Sequence, residues 1–132
     1  MANYEATTRS NYFRVKDSTA IKTWCEKRGL DFWTKVDKTT GPYAISGNDG
    51  HWPSSDPETG DEVDITIELT DHLDPRDIAI FFEVGYEKLR YLTGYATAVH
   101  PHGRTVTVSI YDIIEKARDA FGPKMTIGEG TY

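Results

Sequence analysis

Apolar and polar residues alternate through much of the second half of the chain. Three segments, 77–86, 89–99 and 105–110, show this two-residue period, which is typical of β-strands that bury one face. In the first segment the apolar positions are Ile78, Ile80, Phe82 and Val84. The sequence HPHG at 100–103 is typical of a tight turn, so the pattern predicts three consecutive antiparallel strands.

Two other segments repeat apolar residues at helical spacing. Segment 18–28 has four of them on one face: Ala20, Ile21, Trp24 and Cys25. Asp17 or Ser18 can cap this helix and Gly29 can end it. Segment 111–121 repeats the pattern with Ile113, Ile114, Ala117 and Phe121, and Gly122-Pro123 predicts its end.

Segment 63–73 fits both periods. Val63, Ile65, Ile67 and Leu69 alternate as in a strand, whereas Ile65, Leu69 and Leu73 recur at every fourth position as in a helix. We expect a short helix, because Asp61 can cap it and Asp74-Pro75 can end it.

The first half adds three shorter strands. Segment 11–17 alternates around Phe13 and Val15, and segments 32–36 and 43–46 are predicted to form a hairpin. Residues 47–62 are interpreted as a long acidic loop and 123–132 as a C-terminal tail.

These elements predict an α+β protein with a single domain over residues 1–132. We expect an antiparallel sheet of about five strands with two to three helices packed on one face. The predicted core consists of Phe13, Val15, Trp24, Phe82, Val84, Val106, Val108, Ile110 and Ile114.

Composition narrows the functional classes. No apolar run is long enough to cross a bilayer, and the single cysteine, Cys25, can form neither an internal disulfide nor a multi-cysteine zinc site. We therefore expect a cytoplasmic protein with no membrane partner. The sequence contains no nucleotide-binding or nucleophile motif, which favours a non-enzymatic protein without a cofactor.

The charge is concentrated in one stretch. Residues 49–77 contain ten carboxylates and one base, Arg76, so they carry −9, while the whole chain carries −6. Such asymmetry favours a basic surface of a host protein or complex as the partner and argues against nucleic acid. The predicted partner-binding residues are Asp49, Trp52, Asp56, Glu58, Asp61, Glu62 and Asp64. The same acids could instead only keep an exposed loop solvated.

Two alternatives remain open. A small enzyme or metal-binding protein could use His51, His100 and His102, although no further ligand stands at a suitable spacing, so we expect no metal. A binder of single-stranded nucleic acid would use aromatic and basic strand residues: Tyr12, Arg14, Lys16, Lys88 and Arg90.

Two segments, RSNYFRVKD at 9–17 and EVGYEKLRYLTGYATAV at 83–99, resemble small acidic proteins carried by bacterial plasmids, phages and integrative elements. The resemblance implies a mobile-element setting, in which small acidic proteins include inhibitors of host defence of the anti-restriction and anti-CRISPR types. It assigns no role to any residue.

Overall fold

The computed structural model describes residues 4–34, 40–47, 50–89 and 91–128. From α1 onward its elements follow the predicted order, and the α+β class is confirmed. They are β1 (Glu5–Ser10), α1 (Ser18–Arg28), β2 (Leu30–Thr34), β3 (Tyr43–Gly47), α2 (Ile65–Leu69), β4 (Ala79–Glu87), β5 (Tyr91–Val99), β6 (Thr105–Ser109) and α3 (Asp112–Phe121). An antiparallel four-stranded sheet has the order β1-β4-β5-β6, and β2 and β3 form a separate antiparallel pair.

Local signals explain α1. The Asp17 carboxylate accepts hydrogen bonds from the backbone N–H groups of Thr19 and Ala20, and Gly29 ends the helix with a φ of 69°. A left-handed φ favours glycine because a Cβ would be strained there. The helix boundaries are those that the sequence predicted.

The first strand was missed. β1 lies at 5–10, where the residues are mostly polar, and it is placed by pairing with β4 at the sheet edge. Segment 11–17 is not a regular strand. It does bury Phe13 and Val15, through single bridges to Tyr43 and Leu73, and so links the two sheets to the helical layer.

Segment 63–73 contains a short helix, as expected, but its cap differs from the prediction. The Asp64 side chain, and not that of Asp61, accepts a hydrogen bond from the backbone N–H of Thr66 at 3.0 Å. The helix buries Ile65 and Leu69.

One core cluster joins α1, α2 and one side of the four-stranded sheet. Its members on β4 and β5 are Ala79, Phe81 and Val99, and its members on the helices are Ile21, Trp24, Ile65 and Leu69. We call this side of the sheet the inner face and the opposite side the outer face.

The predicted core was wrong for β4 and β6. Phe13, Val15 and Trp24 are buried, but five predicted core residues are exposed on the outer face, and Ile114 is only half-buried. The five are Phe82, Val84, Val106, Val108 and Ile110. The reason is that Phe81 and Phe82 are adjacent, so both faces of β4 carry apolar side chains and the alternation does not say which face the helices cover.

Candidate protein-binding surfaces

Several carboxylates of the acidic stretch are engaged inside the fold. Arg28 donates to Glu68 and to Asp56, with N···O distances of 2.8 and 2.9 Å. Glu68 also accepts a hydrogen bond from the Trp24 indole N–H at 2.9 Å. Hydrogen bonds from Arg28 lower the pKa of Glu68, and backbone N–H groups of the 55–62 turn, Glu58 first, lower that of Asp56. These contacts tie α1 and α2 to the 55–62 turn.

Three further acids have structural roles. Asp64 caps α2, Asp77 is paired with Arg14, and Asp74 accepts hydrogen bonds from the guanidinium and backbone N–H of Arg76. The Arg76 contacts lower the pKa of Asp74 to about 2. Four of the ten carboxylates in this stretch are therefore paired with arginines within the fold.

The remaining predicted acids lie on a compact turn. Ser55 and Glu62 form a bridge, and the Asp56 N–H donates to the Asp61 carbonyl at 2.8 Å. Glu58, Asp61 and Glu62 are exposed, and no ion pair involves them within the described part of the chain. We call these three the acidic turn. Asp49, also predicted to bind a partner, lies outside the described residues.

Trp52, the predicted aromatic anchor, lies against the inner face. Its ring packs edge-on against Phe81 with centroids 4.8 Å apart, and it is half-buried beside the core cluster. Its indole N–H is buried without a hydrogen-bond partner among the described residues. In this position Trp52 covers one side of Phe81.

The histidines of the metal alternative occupy different local settings. His51 stacks on Tyr4, whereas His100 and His102 stack on each other in the β5–β6 turn with centroids 5.1 Å apart. Among the residues that the structure describes, no group of three or more His, Cys, Asp or Glu side chains is placed to hold a metal ion.

The residues of the nucleic-acid alternative are also dispersed. Arg14 pairs with Asp77, Lys16 is exposed next to α1, and Lys88 lies in the β4–β5 turn. Arg90 lies outside the described residues. Tyr12 accepts a hydrogen bond from the Trp33 indole at 2.8 Å. Arg9 was not among the predicted residues, although its guanidinium lies 5.3 Å from the Trp33 ring centroid and 5.7 Å from that of Tyr12.

The outer face carries many of the large apolar side chains that are exposed in the described part of the chain. Strand register places the side chains in rows that cross the sheet, because directly paired residues point to the same face. Its apolar members on β4 and β6 are Ile80, Phe82, Val84, Tyr86, Val106 and Val108, with Ile110 just beyond β6. Val106 and Val108 expose 69% and 57% of their surface.

A groove runs along the middle of this face. β5 contributes only small residues there, Gly94, Ala96 and Ala98, and these pair with Val84, Phe82 and Ile80 on one side. On the other side Ala96 and Ala98 pair with Val108 and Val106, so large side chains flank a small-residue floor. At Gly94 a Cβ would come within 2.8 Å of the Ile110 side chain, so Ile110 covers the floor there and the open part of the groove lies at Ala96 and Ala98.

Helix α3 presents a second unpaired apolar surface. Its ten residues include Ile113, Ile114, Ala117, Ala120 and Phe121 on one face, and none of the ten is buried. Ile113 and Phe121 expose 63% and 75% of their surface. An amphipathic helix of this length is not stable on its own in water and depends on packing of its apolar face.

Comparison with known proteins found no relative, since no protein-family model, curated protein or solved structure matches this chain. Within residues 4–34, 40–47, 50–89 and 91–128, no helix is long and apolar enough to span a membrane.

Proposed function

We propose that this protein is a non-enzymatic protein-binding domain whose principal binding surface is the outer face. The observation that carries the proposal is the set of apolar side chains on β4 and β6 that is exposed to water, while the core cluster packs against the opposite, inner face. Single exposed apolar residues are ordinary, but a contiguous apolar face marks an interaction site.

The sequence pattern supports the same proposal. Phe82, Val84 and Val108 belong to the alternation that predicts burial, and the isolated chain leaves them exposed. A strand that alternates in this way has one face adapted to an apolar neighbour. For β4 to β6, that neighbour is supplied by another protein surface.

A second candidate function uses the acidic turn. Glu58, Asp61 and Glu62 are exposed and unpaired within the described residues, which suits contact with a basic surface. Inhibition of a host defence complex by such a surface remains the proposal that follows from the mobile-element resemblance. Fewer acids support this candidate than the sequence predicted, because Asp56 and Asp64 have structural roles within the fold.

The test of the principal proposal compares two variants of the tagged chain, expressed together with an untagged copy in a bacterial host. The outer-face variant carries Val84→Thr, Val106→Thr and Val108→Thr, which keep side-chain shape and strand propensity. The control carries Ile67→Thr, an exposed residue of α2 that lies away from the outer face.

At high salt the parent and the control should retain a captured protein, which can include the untagged copy, because apolar contacts persist when charges are screened. The outer-face variant should capture at least about tenfold less, which corresponds to about 1.4 kcal/mol of binding free energy. Equal capture by all three proteins, with unchanged circular dichroism, would overturn the proposal.

A further inference from the structure

We propose that a cleft on the inner face binds an arginine side chain of a partner protein. The cleft lies between the sheet and the chain that leads into α2, and we call it the inner cleft. Six of its lining residues carry the argument: Trp52, Glu62, Asp64, Phe81, Tyr95 and Thr97. The inference rests on the second candidate function, because Glu62 belongs to the acidic turn as well as to the cleft, and it does not involve the outer face.

Strand register places one wall of the inner cleft at the border of the core. Phe81 pairs with Thr97, and Tyr95 lies two residues before Thr97, so all three side chains point to the inner face. Phe81 is buried in the core cluster, whereas Tyr95 and Thr97 are only half-buried. The inner face is therefore partly open at this point.

The opposite wall is held in place by contacts within the chain. The Val63 N–H donates to the Ser54 carbonyl at 2.9 Å, and the Trp52 ring packs edge-on against Phe81. The Asp64 carboxylate accepts hydrogen bonds from the backbone N–H and the hydroxyl of Thr66 at 3.0 and 2.6 Å. Both walls are thus formed in the isolated chain, and a preformed site lowers the ordering cost of binding.

The chemistry of the lining fits a cation. Glu62 and Asp64 are exposed carboxylates at the cleft, and no base lines it in the described part of the chain. Trp52 and Tyr95 add aromatic rings, whose faces attract cations. Burial raises the pKa of Tyr95 to about 12, so this end of the cleft is partly shielded from water, where charge interactions are stronger.

The size of the inner cleft and the geometry of its groups favour arginine. Its volume is about 300 Å³, at the lower end of the range of about 300 to 1,000 Å³ for small-molecule sites. One side chain therefore suits it better than a large ligand does. A planar guanidinium stacks on an aromatic ring and donates to carboxylates at the same time, whereas the ammonium of lysine is compact and strongly hydrated.

Trp52 supplies an independent observation. Its indole N–H is buried and has no acceptor among the described residues. Buried donors are nearly always paired, so this one indicates an acceptor that the isolated chain does not provide. The peptide carbonyl of a bound arginine residue has the required chemistry. The ligand class is therefore an arginine within a peptide chain.

The first experiment titrates the ¹⁵N-labelled full chain with N-acetyl-arginine-N-methylamide at about 0.15 M salt, where distant charges are screened. The chain has three tryptophans, and the indole signal of Trp52 is assigned by its loss in Trp52→Phe. We expect this signal to shift and to saturate, while that of Trp33 stays unchanged. The citrulline analogue of the probe has the same shape without the charge and should bind at least about tenfold more weakly.

The second experiment compares two pairs of substitutions that remove equal charge. Glu62→Gln with Asp64→Asn should weaken binding of the arginine probe by at least about tenfold. The fold should persist because asparagine caps a helix about as well as aspartate does. Glu58→Gln with Asp61→Asn changes acids that do not line the cleft, and it should cost less than about twofold.

The aromatic wall has its own pair of variants. Tyr95→Phe keeps the ring and should bind the arginine probe as the parent does. Tyr95→Val keeps the strand propensity but removes the ring, and it should bind several-fold more weakly. Equal affinities of Tyr95→Val and the parent would overturn the role of the ring.

The outcomes separate this inference from the second candidate function. If both acid pairs weaken binding equally, or if the citrulline and arginine probes bind equally well, the inner cleft is wrong as an arginine site. If the Trp52 signal shows no saturable shift but a basic protein still associates through the acidic turn, the inner cleft is wrong and the candidate function stands. If neither the probe nor a basic protein binds, both are wrong.

Discussion

Arg28, the last residue of α1, donates hydrogen bonds of 2.8 Å to both carboxylate oxygens of Glu68 in α2. The same guanidinium reaches Asp56, so one base pairs with two acids from the stretch that the sequence predicts as a binding surface. The contact shows that part of the acidic charge holds the two helices and the 55–62 turn together.

Replacing Arg28 with Ala should destabilise the fold by about 2 kcal/mol. Breaking a fully buried ion pair costs about 3 to 5 kcal/mol, and the cost here is lower because Glu68 keeps 31% of its side chain exposed. Urea unfolding followed by tryptophan fluorescence measures the change. The control is Lys22→Ala on an exposed position of α1, and an equal loss in both variants would show that Arg28 acts only through helix propensity.

Stability should fall in acid partly through Asp74. Its pKa is lowered from 3.8 to about 2 by hydrogen bonds from Arg76, so the folded chain binds this proton less readily than the unfolded chain does. The contribution is complete above about pH 4 and is lost as the pH falls towards 2. Urea midpoints of the parent and of Asp74→Asn should therefore converge between these pH values, and a constant difference would contradict the assignment.

Leu69 and Ile67 of α2 should differ strongly in their effect on stability. Leu69 is fully buried in the core cluster, and Leu69→Ala should cost about 2 to 5 kcal/mol through lost burial and a residual cavity. Ile67 is 61% exposed, and Ile67→Ala should stay within about 0.5 kcal/mol of the parent. Denaturant unfolding of the two variants measures both values. Similar costs would mean that α2 packs through a different face.

Neutralising the acidic turn should affect recognition without affecting the fold. The variant Glu58→Gln, Asp61→Asn, Glu62→Gln leaves the Arg28 pairs intact, so its unfolding midpoint should match that of the parent. Association with a basic protein captured at low salt should slow by about tenfold, and the difference should disappear at high salt. Binding kinetics across a salt series measure it.

The matched control for the acidic turn removes three exposed acids elsewhere, through Glu26→Gln, Asp31→Asn and Glu115→Gln. It changes the net charge equally and should associate faster than the acidic-turn variant. If association slows equally in both variants, the association rate depends on the net charge of the chain and not on the position of the acids. If neither slows, the acids of the turn serve solvation.

Local chemistry made much of the fold predictable. The boundaries of α1 follow from the Asp17 cap and the left-handed Gly29, and the β4–β6 meander follows from alternation and the turn at 100–103. No pattern of apolar and polar residues predicted β1, because its residues are mostly polar. They form a strand only by pairing with β4.

The candidate sites were less predictable. The sequence showed where the acids are, but it could not show that Arg28, more than 25 positions away, pairs with Asp56 and Glu68. Glu58, Asp61 and Glu62 remain exposed because the described chain brings no base to them.

The sequence by itself determined the class, the order of the elements from α1 onward and the amphipathic character of β4 and α3, since these depend on neighbours within a few residues. Only the tertiary structure decided which face of β4 meets the helices, because Phe81 and Phe82 are both apolar. The face with Phe81 is buried because it packs with Ile21, Leu69 and Val99 in the core cluster. That choice leaves the face with Phe82 and Val84 in water and makes the groove along β5 available to a partner.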